Sequence, residues 1–261
     1  MGLKIVPNFI RKRYEGGFAM ATSDKNTISH SEFYEENLYR LQDGVLNIVK
    51  NCGTPLYLTG GTALSRAYYR HRYSDDLDFF VNNDNSFNQY VDAVLDGLRK
   101  AGYDWSVETG FVKSPDFRTL VLRHPDFQMG LKLDFVNDVA AHYGEITETD
   151  LFYRTDSVRN ILSNKVTAIF RMSAKDIVDI HRICLNEKFE WREVFEEVRE
   201  KELGVEPLDV SQVMQGITQA AFESIKWKCG LTFAEFKRDI DMIAADMLCL
   251  KDNGLNDRSM K

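Results

Sequence analysis

The pattern of apolar and polar residues divides the chain into a mixed first part and a helical second part. Apolar residues at helical spacing, with Ser31 as a suitable N-cap, predict a first helix that runs to Val49. Short apolar runs between turn signals then predict strands, and helical spacing returns between some of them. The predicted strands are 56–58, 77–81, 105–112, 118–122 and 129–136, and the predicted helices among them are 62–69 and 87–98.

Helical spacing is the dominant pattern after residue 150. The predicted helices there are 157–171, 175–185, 191–201, 210–222 and 233–250. The fold class is therefore predicted as α+β, with an N-terminal α/β domain followed by an all-helical C-terminal domain. We place these domains at 28–155 and 156–261, and we interpret residues 1–27 as an N-terminal extension.

Composition and charge exclude several classes of protein. The chain has 261 residues, 44% of them hydrophobic, and a net charge of -7. Such a protein does not attract nucleic acid over its whole surface, although the basic run Arg66, Arg70, His71 and Arg72 is a candidate local patch. The four cysteines are widely spaced without a CxxC pair, which is typical of a reduced cytoplasmic protein. No apolar stretch reaches the roughly 18–20 residues of a membrane helix, so no membrane partner is expected.

The candidate catalytic residues lie on two of the predicted strands. Asp76 and Asp78 alternate with apolar residues, so both carboxylates face away from the core on one side of the strand. Neighbouring carboxylates repel each other unless a cation lies between them, and Mg²⁺ prefers oxygen ligands together with substrate phosphates. Asp134 lies between apolar residues on a later strand, where it would complete a two-metal site for phosphoryl transfer. A solvated strand end and a surface ion pair are the alternative interpretations.

A glycine pair lies at the turn between the first predicted strand and the helix that follows it. Gly60, Gly61 and Thr62 would let backbone N–H groups approach a phosphate at the helix N-terminus. Such a turn is common in proteins, and it gains weight here because the carboxylates follow shortly after it.

The order of these features resembles the nucleotidyltransferase fold of the polymerase-beta type, in which a glycine turn precedes an Asp-x-Asp strand and a third Asp. Thr59 departs from the apolar residue that precedes the first glycine in that pattern. The chain is more closely similar to the AbiEii/AbiGii toxin family of nucleotidyltransferases. That likeness spans about residues 56–185 and rests on 60–64, Arg66, 74–79, 132–135, Lys165, Ala168, Arg171 and 175–179.

The resemblance implies a nucleotidyltransferase-fold domain with a mixed β-sheet and a reaction that depends on Mg²⁺, with Mn²⁺ as the alternative ion. The implied substrate is a nucleoside triphosphate, and the implied metal ligands are Asp76, Asp78 and Asp134. Lys165 would join these three as a catalytic residue. The residues implied to bind the nucleotide are Gly60, Gly61, Thr62, Arg66, Lys175 and Asp176.

The same resemblance implies a biological role. Members of the family are similar to toxins of type IV toxin–antitoxin or abortive-infection systems, and some of them modify tRNA. The implied partners are therefore tRNA or another RNA as the acceptor, and a cognate antitoxin that acts without a tight complex.

Lys165 lies inside the apolar stripe of its predicted helix, between Ile161 and Ile169. A lysine there must reach water along the helix rim or meet an anionic partner. The catalytic interpretation is that its ammonium group reaches the triphosphate. Lys175 has a structural alternative of its own, an i,i+4 pair with Asp179 in the charged first turn of the next helix.

Two other functions stay open at this level. A small-molecule nucleotidyltransferase, such as one that inactivates an antibiotic, suits an acidic chain better than an RNA-directed enzyme does. A non-catalytic relative would keep the fold and bind a nucleotide or a partner, although all three expected Asp residues are present.

Overall fold

A five-stranded mixed sheet forms the centre of the first part of the chain, in a computed structural model that describes residues 29–105 and 112–259. Its strands are β1 (Tyr57–Thr59), β2 (Leu77–Asn82), β3 (Val112–Ser114), β4 (Phe117–Leu122) and β5 (Leu131–Asp138). They have the order β1-β2-β5-β4-β3, in which β2 and β5 are parallel and the other neighbours are antiparallel. The predicted α+β class is confirmed. The predicted extension 1–27 and most of the predicted strand 105–112 lie outside the described residues.

Three helices accompany the sheet within residues 29–105 and 112–155. Helix α1 begins two residues earlier than predicted, because the side chain of Ser29 rather than Ser31 caps it by accepting a hydrogen bond from the backbone N–H of Glu32. It consists of His30–Phe33, a π-helical stretch Tyr34–Leu38 and Tyr39–Asn51. Helix α2 consists of Gly60–Thr62 and a π-helical stretch Ala63–Tyr69, and helix α3 is Phe87–Lys100.

The two faces of the sheet differ in burial. Leu77 and Phe79 of β2 point into the apolar core, where the ring of Phe79 stacks on that of Phe135 with centroids 5.6 Å apart. Burying one such side chain is worth about 1.5–3 kcal/mol. Asp78 and Phe80 point to the other face and are half-buried. The alternation within β2 therefore produces one apolar face and one half-open face, as the sequence predicted.

The second part of the chain is helical. Two predicted helices are interrupted: 157–171 ends at Thr167 and is followed by a short 3-10 turn, and 210–222 divides after Gln215. Thr218 restarts the chain there as a new N-cap, because its hydroxyl accepts a hydrogen bond from the N–H of Ala221. The helices are α4 (Val158–Thr167), α5 (Ala174–Asn186), α6 (Trp191–Lys201), α7 (Pro207–Gln215), α8 (Gln219–Glu223), α9 (Phe233–Leu248) and α10 (Gly254–Ser259), and the 3-10 turn is Ile169–Arg171.

One apolar cluster contains residues from both the sheet and the helical part. It includes Phe79 and Phe135 from the strands and Ile177 and Trp191 from the helices. The division into domains at residue 156 therefore stays a prediction. Within the described ranges, no helix is both long enough and apolar enough to cross a membrane.

The turn from β1 to α2 requires glycine for two reasons. Gly60 has a φ of 70°, in the left-handed region that residues with a Cβ rarely adopt. A Cβ built on Gly60 would also collide with the carboxylate of Asp78 on the neighbouring strand. Gly60 thus lets the turn lie directly against the half-open face of the sheet.

Alanine substitutions at Gly60 and at Gly53 together separate the cost of the left-handed backbone from the cost of the contact with Asp78. Gly53 has a similar φ of 62°, but a Cβ there would meet no atom within 4 Å, so Gly53→Ala is the matched control. We expect Gly53→Ala to lower the free energy of unfolding by about 1 kcal/mol, the cost of a left-handed backbone. Gly60→Ala should lower it by a further 1–3 kcal/mol or so, because Asp78 must also move. Urea unfolding measures both, and equal losses would show that the Asp78 contact has no energetic effect.

Candidate active site

The sheet brings the three predicted carboxylates to its half-open face. In the parallel register of β2 and β5, Asp78 is the partner of Asp134, and Thr59 of β1 is the partner of Asp78 on the other side. Asp76 lies just before β2, two residues from Asp78, and is half-buried on the same side. The three Asp residues are therefore neighbours, while their role as metal ligands stays a prediction.

A nearby cation would stabilise the ionised carboxylates of this cluster. Burial raises the pKa of Asp76 to about 6, and the negative charge of Asp78 adds to the rise, against the opposing effect of Lys132. Asp134 accepts hydrogen bonds from the hydroxyl of Thr119 and from the ammonium group of Lys132, whose Nζ lies 2.7 Å from its Oδ2. Like charges held this close in a partly dry site are unfavourable unless a positive charge compensates them.

Lys132 supplies that positive charge in this structure. Burial alone would lower the pKa of Lys132, but the carboxylates of Asp134, Asp76 and Asp78 raise it above its usual value. The sequence interpretation missed Lys132, although the two-residue spacing from Asp134 within one strand places both side chains on one face. The ammonium group of Lys132 thus compensates the carboxylate charges in the place where a metal ion would otherwise do so.

The donor atoms of this cluster suit Mg²⁺, which keeps few protein carboxylates and completes its octahedron with water and phosphate oxygens. Over residues 29–105 and 112–259, no three Asp, Glu, His or Cys side chains lie close enough together to hold a metal ion between them. At this cluster, Asp134 is hydrogen-bonded to Thr119 and Lys132. Asp76 and Asp78 would hold the ion, and Asp134 would join them on release from Lys132.

The residues of the glycine turn also support the carboxylates. Thr62 is fully buried, and its hydroxyl donates to the backbone carbonyl of Asp76 and contacts the hydroxyl of Ser74 at 2.9 Å. A Cβ on Gly61 would lie only 2.5 Å from Nη2 of Arg72. The side chain of Thr62 therefore positions Asp76, and contact with a phosphate at this turn would come from the backbone.

Arg66 faces helix α1 in this structure. Its guanidinium group lies 4.2 Å from the ring centroid of Tyr39, and it donates to Gln42 at 3.0 Å and to Asp43 at 2.6 Å. Gln42 in turn donates to the backbone carbonyls of Ser74 and Asp75, both at 3.1 Å. Arg66 thus supports the loop before β2, and its predicted contact with nucleotide stays untested.

The basic run from Arg66 to Arg72 is not a surface patch, which corrects that expectation. His71 and Arg72 are 1% and 2% exposed, because both bind the buried carboxylate of Asp179. Arg72 does so through two N–H groups, each 2.7 Å from an Asp179 oxygen. A charge that is paired inside the protein cannot attract nucleic acid from solution.

Lys165 belongs to the same buried network. Its ammonium nitrogen lies 2.9 Å from Asp176 and 2.6 Å from Asp179, and Lys165 itself is 7% exposed. Burial would raise the pKa of Asp179, but Arg72 and Lys165 hold it well below its usual value. Asp176, which is fully buried, also accepts two hydrogen bonds from Arg171. Lys165 is therefore held between carboxylates in the interior, rather than at a helix rim.

Lys175 does not form the i,i+4 pair with Asp179 that was its structural alternative. Asp179 faces the interior, whereas Lys175 is exposed and its Nζ lies 3.0 Å from Asp75. Lys175 also opposes the rise in the pKa of Asp76, which places its charge near that carboxylate. Of the two predicted nucleotide-binding residues at the start of α5, Lys175 faces the carboxylates and Asp176 faces the interior.

Comparison with known proteins gives a family and a fold. Residues 49–246 match the family described as nucleotidyl transferase AbiEii toxin, type IV TA system, well beyond residue 185 where the likeness seen in the sequence ended. The crystal structure of JHP933 from Helicobacter pylori has a TM-score of 0.53 and 17% identity, covering 90% of this chain and 97% of that chain. A second H. pylori structure, of a candidate nucleotidyltransferase, has a TM-score of 0.51 and 17% identity, covering 82% of this chain and 95% of that chain. These structural likenesses concern the fold. No curated protein matches the chain at a significant level.

The buried network predicts the effect of replacing Lys165. Lys165→Met keeps the apolar stem but removes one of the cations around Asp176 and Asp179, which keep Arg171 and Arg72, so the free energy of unfolding should fall by about 1.5–3 kcal/mol. Lys237→Met is the control, because Lys237 pairs with Asp241 on an exposed helix face, where the loss should be under about 1 kcal/mol. Urea unfolding measures both. An unchanged stability of Lys165→Met together with weaker nucleotide binding would instead support a direct catalytic contact.

The raised pKa of Asp76 predicts a stability that depends on pH. Its folded pKa of about 6 exceeds the ordinary value of 3.8, so the folded state binds the proton more tightly and ionised Asp76 opposes folding above pH 6. In EDTA, Asp76→Asn should raise the free energy of unfolding by about 1–2 kcal/mol at pH 8, and this gain should vanish toward about pH 4. A gain that is the same at both pH values would point to packing rather than charge.

Proposed function

This chain belongs to the AbiEii nucleotidyl transferase toxin family, and we propose that it transfers a nucleoside monophosphate from a nucleoside triphosphate to a hydroxyl group of RNA in a Mg²⁺-dependent reaction. The observation that carries this proposal is the register of the sheet. It places Asp78 beside Asp134, next to the glycine turn at Gly60. A carboxylate cluster against a turn of this kind suits a metal-bound triphosphate.

The residues of the half-open face would bind the metal ion and position the reacting groups. Asp76 and Asp78 would hold the metal, and Asp134 would join them when Lys132 turns away. When bound, the metal supplies charge neutralisation at the reacting phosphate. The acceptor hydroxyl would attack the α-phosphate in line, with pyrophosphate as the leaving group. Positioning and charge compensation by the protein would account for most of the rate.

The glycine turn would bind the phosphates through its backbone. Gly60 brings the turn against Asp78, and the N–H groups of Gly61 and Thr62 lie at the start of α2, where a phosphate is favoured. Thr62 would contribute indirectly, since its hydroxyl holds the backbone of Asp76. A phosphate bound by this turn would therefore lie beside the metal ligands.

For Lys165 and Asp176 we propose a positioning role in the same reaction. Both are buried, and together with Asp179 they hold helices α4 and α5 against Arg72 in the loop before β2. This arrangement would fix the position of Asp76 and Asp78 relative to Lys175, whose exposed ammonium group is available to the nucleotide.

The biological role that we propose is that of the toxin in a type IV toxin–antitoxin system, with an antitoxin that does not form a tight complex. The family description supports this role. RNA as the acceptor rests on the family resemblance. The burial of His71 and Arg72 leaves the acidic chain without the basic patch expected from the sequence, which keeps a small-molecule acceptor as the alternative outcome of the experiment.

Label transfer tests the proposal directly. Each nucleoside triphosphate, labelled at the α-phosphate, is incubated with the protein, Mg²⁺ and total tRNA, and we expect label on the tRNA that is lost in EDTA. Asp78→Asn should reduce transfer by at least about a hundredfold, because the metal would lose a ligand. Asp138→Asn is the control, since Asp138 lies at the far end of β5 on the same face.

Two results would contradict the proposal. Transfer that persists in EDTA or in folded Asp78→Asn would exclude the metal-dependent mechanism. Label on small hydroxylated compounds but not on RNA would support a nucleotidyltransferase reaction and would show that the acceptor is a small molecule instead of RNA.

A further inference from the structure

A short segment from the C-terminal part of the chain lies against the loop that precedes the carboxylates. The backbone N–H of Tyr73 donates to the carbonyl of Lys226 at 2.8 Å, and the N–H of Lys228 donates to the carbonyl of His71 at 3.0 Å. Arg72 and Trp227 form an antiparallel bridge between these bonds. Residues 226–228, which lie between α8 and α9, are therefore fixed beside residues 71–73, shortly before Asp75 in the chain.

Within this arrangement, the carboxylate of Asp75 is shared by two ammonium groups. Lys226 Nζ lies 3.2 Å from Oδ1 of Asp75, and Lys175 Nζ lies 3.0 Å from Oδ2. Lys226 also donates to the hydroxyl of Tyr34 at 2.6 Å, and that hydroxyl donates to Asp75. Burial would raise the pKa of Asp75, but Lys175, Tyr34 and Lys226 hold it at about 2. Asp75 thus fixes two lysine side chains from distant parts of the chain side by side.

The two ammonium groups carry more positive charge than Asp75 balances, and they remain open to solvent. The side chain of Lys175 is 49% exposed and that of Lys226 is 41% exposed. The charge of Lys175 acts on Asp76, so this cation lies near the half-open face where the metal and phosphates would be bound, and Asp75 holds Lys226 beside it. An anion with two or more charges beside them would gain two charge-assisted hydrogen bonds without further movement of the backbone.

We propose that Lys226 and Lys175 form a clamp for the two terminal phosphates of the nucleoside triphosphate, and for the pyrophosphate that leaves. The clamp rests on the proposed function and assigns Lys226, from outside the part that the sequence resemblance covered, to substrate binding. Asp75 holds the two lysines in place, and Tyr34 anchors Asp75 from helix α1. The adjacent turn and carboxylates would bind the α-phosphate end of the same substrate.

Pyrophosphate binding tests the clamp independently of any transfer activity. Isothermal titration of the full chain with Mg²⁺ and pyrophosphate is compared with titration with Mg²⁺ and a nucleoside monophosphate. Lys226→Met should weaken pyrophosphate binding by about fivefold or more, which corresponds to about 1 kcal/mol, and should leave monophosphate binding within about twofold. Lys226→Arg should retain most of the pyrophosphate affinity.

Lys228→Met is the matched control, because Lys228 lies in the same segment and its ammonium group pairs with Glu35 at 2.6 Å. It should leave pyrophosphate binding unchanged, and thermal melting of all three variants checks that they fold. The proposal is overturned if pyrophosphate does not bind the wild type, if Lys226→Met binds it as the wild type does, or if Lys228→Met weakens binding equally. If binding depends on Lys226 but no label is transferred, the clamp stands and the proposed reaction fails.

Discussion

The buried carboxylate of Asp179 is the point on which the arrangement of the candidate site depends. It binds Arg72 from the loop before β2 and Lys165 from α4, while its own helix, α5, carries Lys175 to the edge of the carboxylates. Removing one partner from a buried ion pair costs several kcal/mol, because the remaining charge is left without compensation. The helical part therefore cannot shift from the sheet without exposing or stranding these charges, and the spacing between Lys175 and Asp76 is held by this constraint.

The parts of the site that lie close together in sequence could be predicted from it. The two-residue period of a strand places Asp76 and Asp78 on one side, and the same rule would have found Lys132 beside Asp134. The alignment of Asp134 with Asp78 needed the register of two parallel strands, which periodicity does not specify. The family resemblance supplied that pairing, and the structure supplied its geometry.

Charged residues account for most of what the sequence did not reveal. Arg72 was predicted in a surface patch and Asp179 in the charged first turn of a helix. Isolated charges are almost never buried, and the pairing of these two residues across distant segments is what allows their burial. Lys226 carries no local signal, since its position depends on backbone pairing with residues far earlier in the chain. The break after Gln215 was missed because apolar residues continue at near-helical spacing on both sides of it, as Met214 and Phe222 show.

The parallel pairing of β2 with β5 has a consequence for the folding of the chain during its synthesis. Parallel neighbours need a long crossover, and here α3, β3 and β4 lie between the two strands in the chain. Non-local contacts of this kind form late in folding, because the loop they close must first lose its conformational entropy. Two further contacts come from still later parts of the chain, that of Asp179 with Arg72 and that of Lys226 with Asp75. A nascent chain that ends before Asp134, Asp179 and Lys226 therefore lacks residues that complete the candidate site, and this site cannot form until the helical part has been synthesised.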